Sequence, residues 1–246
     1  MRPRVRRLRS AAPLMLGAGV AAAAVLPPFH ELSEQFFSVH MVQHELLMTV
    51  AAPLIVLGYP VAVGLRLLPR ASRRSAARLA RPRAVRRIGT FITNPPVAWL
   101  LHAVAIWLWH LPILFERAIH NDVVHAFQHL SFISAAVVFW WAVLRPARRA
   151  RRGLSILLLF TTAIHTGVLG ALMTFAHTPW YRDYASRPAT AGLSPLADQQ
   201  LAGMIMWIPG SLAYLIAALF IVRRWLAESE WEVARGDRPS YAIPIR

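Results

Sequence analysis

Six apolar stretches separated by blocks of arginine constrain this chain more than any other feature. The stretches cover residues 11–28, 38–60, 95–111, 122–144, 153–176 and 199–222. A helix needs about 20 apolar residues to cross roughly 30 Å of hydrocarbon. Of the 246 residues, 57% are hydrophobic and only 15% are charged. The pattern predicts an all-α, polytopic membrane helix bundle with about six transmembrane helices, forming a single domain over residues 1–246.

The arginines give the predicted bundle a direction. All 27 basic residues are arginine, against 11 acidic residues. Only Arg117, Arg182 and Arg187 lie outside four blocks that precede the first stretch and follow the second, fourth and sixth. Since cytoplasmic segments carry the excess of positive charge, both termini are predicted to be cytoplasmic. The basic balance then reflects topology and contact with membrane lipid, not nucleic-acid binding. A cleaved signal peptide at the N-terminus is the alternative, and it would leave five spans.

Histidines gather at the predicted outer end of the bundle. His40 and His44 are four residues apart on the second stretch, and His125 and His129 repeat that spacing on the fourth. A spacing of four puts two imidazoles on one helix face, about 6 Å apart at Cβ, so that both can reach one cation. These four residues are predicted to bind a metal or a haem. The alternative is that they form interfacial or interhelical hydrogen bonds.

Five further residues extend this candidate site. The chain has no cysteine, so a soft ligand must be methionine, although methionine in a membrane core usually serves packing. Carboxylates near such a cluster commonly accept hydrogen bonds from the ligating histidines. The predicted additional ligands are His110 and Met48. The residues predicted to contact the ligands without binding the metal are Asp122, Asp198 and His177.

The other histidines are predicted to have ordinary roles. His30 and His120 fall in loops, whereas His102 and His165 stand in mid-helix as hydrogen-bonding residues or, alternatively, as a proton relay. Glu45 points about 100° away from its neighbour His44 and is expected to face another helix or a histidine N–H.

Two prolines and one long connection also carry expectations. Pro53 and Pro209 lie inside apolar runs, where they should kink the helix and free carbonyls that neighbouring helices must satisfy. The connection from His177 to Asp198 is long enough to form a lid over the bundle mouth, unless it is an ordinary exposed loop. Neither an HExxH motif nor a GxSG-type nucleophile site occurs, so the chain is predicted not to be an enzyme.

Three runs resemble the Bacillus-type CtaG family of cytochrome c oxidase assembly factors. They are Ser38–Pro60 with HMVQH, Trp109–Trp141 with an HxxxHLSF motif, and Leu193–Gly210 with DQQLAGMIMW. The motifs occur in the same order as in that family. The family pattern differs from this chain at Glu45, where leucine is usual, and at His30, where an acidic residue is commoner.

The resemblance implies a bacterial cell-membrane protein that is needed for active haem-copper oxidase and handles the copper of one of its centres. By position, the matching residues are His40, His44, His110, His125, His129 and the Asp198-Gln199-Gln200 triplet. We therefore expect copper to bind at the extracytoplasmic face, with cytochrome c oxidase subunits as partners. A haem-binding membrane cytochrome and a metal or proton transporter, with His102 and His165 lining its path, stay open as alternatives.

Overall fold

The computed structural model describes residues 3–79, 82–145, 152–186 and 192–234, and these residues form helices joined by short connections, without a β-sheet. The predicted all-α class is confirmed. In chain order the helices are α1 (Pro3–Val25), α2 (Phe29–Gln35), α3 (Phe37–Glu45), α4 (Ala52–Leu57), α5 (Pro60–Leu67), α6 (Arg70–Leu79), α7 (Arg83–Ile92), α8 (Pro95–Trp109), α9 (Pro112–Ile119), α10 (Asp122–Leu144), α11 (Arg152–Thr174), α12 (Arg182–Ala185), α13 (Pro195–Ile205) and α14 (Ser211–Ala234).

Four to six segments are long and apolar enough to cross a membrane within the described ranges. The four continuous ones are Phe37–Leu57, Asp122–Leu144, Arg152–Thr174 and Pro195–Glu228. Two more arise if each bent helix pair counts as one span. One pair joins Ala11–Val25 to α2 at 44°, and the other joins α7 to α8 at 68°. The count of six predicted from the sequence is the upper end of this range.

Two of the four continuous spans contain a π-helical turn at or beside a proline. Leu46–Ala51 precedes Pro53, and Met206–Gly210 contains Pro209. In a π-helix an N–H bonds to the carbonyl five residues earlier, so Pro53, which has no N–H, leaves the Met48 carbonyl free. The indole Nε1 of Trp140 in α10 donates to that carbonyl at 2.8 Å. The expectation that a neighbouring helix satisfies a carbonyl freed by Pro53 is therefore confirmed, and the local distortion is a π-helical turn.

Glycines form a close helix contact between α11 and α13. A Cβ atom built on Gly203 in α13 would lie 2.6 Å from the carbonyl oxygen of Gly170 in α11. Small residues let the backbones of two membrane helices approach in this way. The contact fixes α13 against α11 and thereby the position of Asp198, which lies in the first turn of α13.

Candidate metal centre

Two capped helix starts bring the paired histidines to the same end of the bundle. The Asp198 carboxylate accepts the backbone N–H groups of Phe37 at 2.6 Å and Ser38 at 3.1 Å, at the start of α3. The Asn121 side chain accepts from the backbone of Val123 and Val124, at the start of α10. Both caps satisfy N–H groups that have no partner inside the helix. His40 and His44 then lie within two turns of one cap, and His125 and His129 lie within two turns of the other.

Asp198 therefore acts through the backbone. We predicted that it would accept a hydrogen bond from a histidine ring, whereas its carboxylate bonds the first N–H groups of α3. It positions the helix that carries His40 and His44. The side-chain oxygen of the next residue, Gln199, accepts a hydrogen bond from the backbone N–H of Trp180 at 2.6 Å.

Three histidines converge at the centre of the cluster. His40, His44 and His129 each offer a ring nitrogen within 4.8 Å of the others. Two nitrogens that each lie about 2.0–2.1 Å from one cation are at most roughly 4.2 Å apart. Small rotations of the rings would thus bring all three nitrogens onto one ion. The ring centroids of His40 and His44 are 4.4 Å apart, and those of His44 and His129 are 5.2 Å apart.

His125 and His110 adjoin these three rings. The His125 ring stacks on His40 at 5.4 Å and lies 4.4 Å from His129. The His110 ring lies 6.5 Å from His44. Its Nδ1 contacts the Ile106 carbonyl at 2.6 Å, and since a carbonyl only accepts, Nδ1 carries the proton. The lone pair of His110 is thus on Nε2, the atom that a metal would need.

Ring nitrogens without partners are the main chemical signal of the cluster. In the described part of the chain, buried nitrogens of all five rings lack a hydrogen-bond partner: His40 Nε2, His44 Nδ1 and Nε2, His110 Nε2, His125 Nε2 and His129 Nε2. A buried polar group left without a partner costs about 1–3 kcal/mol. Native proteins leave few such groups, and several in one place call for an ion or water. The donor set therefore fits a cation.

His30 also belongs to the cluster, although it was predicted to have an ordinary role. Its ring stacks on His125 at 5.6 Å, and its Nε2 lies 3.6 Å from an oxygen of Glu34. The prediction that His30 falls in a loop is wrong, because residues 29–35 form helix α2, and the His30 ring contacts α10. The spacing of four between His30 and Glu34 was the signal in the sequence that could have predicted a helix here, since residues four apart pair on one helix face.

The other residues predicted for the site make no contact with the histidine rings among the ring contacts of the described residues. Met48, four residues after His44, is buried in the π-helical turn, where the α-helical repeat that would put it on the face of His44 is interrupted. Asp122 is exposed in the first turn of α10, and His177 is exposed after α11. His120 lies 3.7 Å from an oxygen of Asp183.

Part of the connection after α11 packs beside the cluster. The hydroxyl of Tyr181 donates to the His110 carbonyl at 3.0 Å, and the hydroxyl of Tyr184 donates to the Ser33 carbonyl at 2.9 Å. Burial raises the pKa of Tyr181 above its ordinary value, so the phenol keeps the proton that it donates. The Tyr181 ring packs on Phe115 at 4.1 Å. The described residues of this connection thus contact both α2 and the backbone of His110, and the lid over the bundle mouth stays a prediction.

Three other predicted polar residues lie deeper in the bundle. Glu45 is half-buried, and its carboxylate lies against Gly210, where a Cβ atom would be 2.9 Å from the carboxyl carbon. Glu45 therefore faces another helix, which was one of the two alternatives predicted for it. His102 Nε2 lies 3.0 Å from the Tyr214 hydroxyl, and His165 Nδ1 accepts from the Trp107 indole at 3.3 Å. Both histidines are hydrogen-bonded within the bundle.

Three proteins of known sequence are similar to most of this chain. An uncharacterized protein of Mycobacterium bovis and one of Mycobacterium tuberculosis are each 28% identical over 215 residues, covering 82% of this chain and 32% of the relative. An uncharacterized protein of Mycobacterium leprae is 27% identical over 218 residues, with the same coverage. The chain thus spans about a third of the length of these relatives. No solved structure matches it significantly.

A family model settles the resemblance noted in the sequence. The model described as cytochrome c oxidase caa3 assembly factor, CtaG, matches residues 2–228. The match includes every histidine of the cluster and all of the candidate membrane spans. Because it covers nearly the whole chain, this multi-pass bacterial membrane protein belongs to the cytochrome c oxidase caa3 assembly factor family.

Proposed function

We propose that this protein binds copper through His40, His44 and His129, with His125 and His110 beside them, and delivers it to a maturing cytochrome c oxidase. The observation that carries the proposal is the group of buried imidazole nitrogens without partners, on three separate helical segments. A cation would satisfy several of these nitrogens at once. Imidazole ligands without thiolate suit copper, and membership in an oxidase assembly family favours copper over other cations that imidazole binds.

The gradient of exposure across the histidines supports a cargo that enters and leaves. The His30 side chain is 32% exposed, His125 is half-buried, and His40 and His44 are each 2% exposed. The rings of His30, His125 and His40 follow one another at 5.6 and 5.4 Å. Copper would therefore enter or leave beside His30 and Glu34 and be held at the inner three histidines. The arginine distribution predicts that this end faces the extracytoplasmic side.

A small cation fits these surroundings better than a haem. The His40 ring packs on Phe115 at 5.3 Å, and the His44 ring packs on Phe132 at 4.6 Å. The histidines thus contact one another and two buried phenylalanines. A haem would show a Soret band in the purified protein.

Copper content of the purified protein tests the proposal. The wild type, a His44→Ala/His129→Ala double variant and a His120→Ala/His177→Ala control would be loaded with copper in detergent and measured by elemental analysis. The control removes the same number of histidines from exposed positions outside the cluster. We expect stoichiometric copper in the wild type and control and a loss in the cluster variant. Equal copper in all three folded proteins would contradict the site.

The delivery step has a separate cellular test. Cells in which the His44→Ala/His129→Ala variant replaces the wild type should assemble oxidase with less copper and less activity. The His120→Ala/His177→Ala control should support normal assembly. Normal oxidase in cells with the cluster variant would contradict delivery, even if the purified wild type binds copper.

A further inference from the structure

A cavity with three arginines lies at the end of the bundle opposite the histidines. Its volume is about 190 Å³, and its lining includes Arg145, Arg152 and Arg224 together with Leu57, Phe220 and Ile221. The lining comes from α4, α10, α11 and α14 and the residue after α10. The cavity therefore lies between membrane helices, and it combines cationic and apolar walls.

Among the described residues, the arginines of the cavity outnumber the carboxylates that contact them. Glu228 contacts Arg152 at 2.8 Å and Arg224 at 3.0 Å, so one carboxylate faces two guanidinium groups. The Nη1 atom of Arg152 is buried and has no partner in the described ranges. A buried donor of this kind favours an anionic acceptor.

Arg145 is held in place by its own contacts. Its guanidinium donates to the Val56 carbonyl and lies 3.5 Å from the Tyr59 ring centroid and 4.7 Å from that of Trp141. Cation–π stacking of this sort fixes the plane of the guanidinium. Arg145 thus presents a fixed positive charge to the cavity.

Two of the three arginines lie at the ends of candidate membrane spans, where phospholipid headgroups would meet hydrocarbon, and Arg224 lies four residues before the end of a third span. Arg145 follows the last residue of the span Asp122–Leu144, and Arg152 is the first residue of the next span. Phe220 is 60% exposed and also lines a groove with Leu219 and Leu226 on the outer face of α14. A polar pocket at the interface therefore continues into an apolar surface that faces lipid chains.

We propose that this cavity binds the headgroup of an anionic phospholipid. Its phosphate would lie between Arg145, Arg152 and Arg224, and its acyl chains would run along Phe220 and the adjoining groove of α14. Basic pockets between membrane helices bind anionic headgroups, and guanidinium groups match phosphate oxygens in geometry. This site is independent of the copper site, which lies at the other end of the same helices.

Lipid binding to the purified wild type tests the proposal. Protein in a neutral detergent would be titrated with phosphatidylglycerol, with phosphatidylcholine of the same acyl chains, and with glycerol phosphate or inorganic phosphate. Bound lipid would be counted by native mass spectrometry. We expect phosphatidylglycerol to bind one per chain and more tightly than phosphatidylcholine. Equal binding of the two lipids would overturn the proposal, and so would equally tight binding of a soluble phosphate, which would indicate a site for a free anion.

Arginine variants assign the binding to this cavity. Arg224→Gln changes a side chain that is 68% exposed, so the fold should survive, and Arg152→Gln removes the buried donor. Each should weaken phosphatidylglycerol binding about fivefold, the effect of one arginine near an anionic headgroup. Arg86→Gln, on the exposed face of α7, is the matched control and should leave affinity unchanged. If Arg152→Gln does not fold, Arg152→Lys should fold and keep the preference for phosphatidylglycerol. Equal affinity in Arg224→Gln and Arg86→Gln would contradict the site.

Discussion

Replacing Gly203 by alanine should force α13 away from α11. A methyl group there would lie 2.6 Å from the Gly170 carbonyl oxygen and 2.6 Å from the Thr174 nitrogen. These atoms belong to the helix backbone and cannot rotate away as a flexible side chain would. Reaching an ordinary contact of 3.4 Å requires a displacement of about 0.8 Å, the difference between 3.4 and 2.6 Å. The perturbation therefore moves a whole helix.

The expected cost follows from that displacement. Overpacking a well-packed contact costs about 1–3 kcal/mol. For chains of this size each 1 kcal/mol lowers Tm by roughly 2–4 °C, so Gly203→Ala should lower Tm by about 2–12 °C. Since α13 carries Asp198, which caps α3, the same displacement should also weaken copper binding.

A glycine in the neighbouring helix provides the matched control. A methyl group on Gly153 in α11 meets nothing within 4 Å. Gly153→Ala should therefore leave Tm unchanged or raise it, because alanine is favoured over glycine in a helix by about 0.5–1 kcal/mol. Both variants would be measured by thermal unfolding in detergent, followed by tryptophan fluorescence. Equal Tm values for the two variants would refute the close contact between α11 and α13.

Four further outcomes are expected. Asp198→Ala should lower stability by about 1–2 kcal/mol and weaken copper binding, because it removes the cap of α3; thermal unfolding and a copper titration would measure both. His30→Ala should slow copper uptake in stopped-flow measurements without changing the final stoichiometry, and loss of all copper would place His30 in the inner site. Copper at 100 times its Kd should stabilise the wild type by about 2.7 kcal/mol, reversibly on chelation, and unchanged stability would argue against a folded-state site. A reporter fused after Arg246 should behave as cytoplasmic, and an external signal would reverse the predicted direction of the bundle.

Much of the fold was predictable because it depends on local properties of the chain. The stretch predicted at residues 122–144 coincides with α10, and the other apolar stretches overlap helices of the structure. Hydropathy and turn residues act over a few neighbouring positions, so they are visible in sequence. The His-x-x-x-His pairs were visible for the same reason, since the helical repeat alone puts both rings on one face.

The errors lie where a residue's role depends on another helix. His30 looked like a loop residue because its contact with His125 depends on how α2 packs on α3. Asp198 looked like a partner of a histidine ring, and its actual partners are backbone N–H groups about 160 residues earlier in the chain. The π-helical turn after Glu45 changes which face follows His44, and proline composition alone does not show where such a turn begins.

The helical membrane bundle, the family and the two histidine pairs could be predicted from the amino-acid sequence, because apolar length, motifs and helical spacing are properties of one segment at a time. Tertiary structure decided that the pairs meet, that His30 and His110 join them, and that their nitrogens lack protein partners. It also decided that three arginines from separate helices face one cavity. These relations depend on distances of a few ångströms between helices, and backbone contacts such as that of Gly170 with Gly203 set those distances.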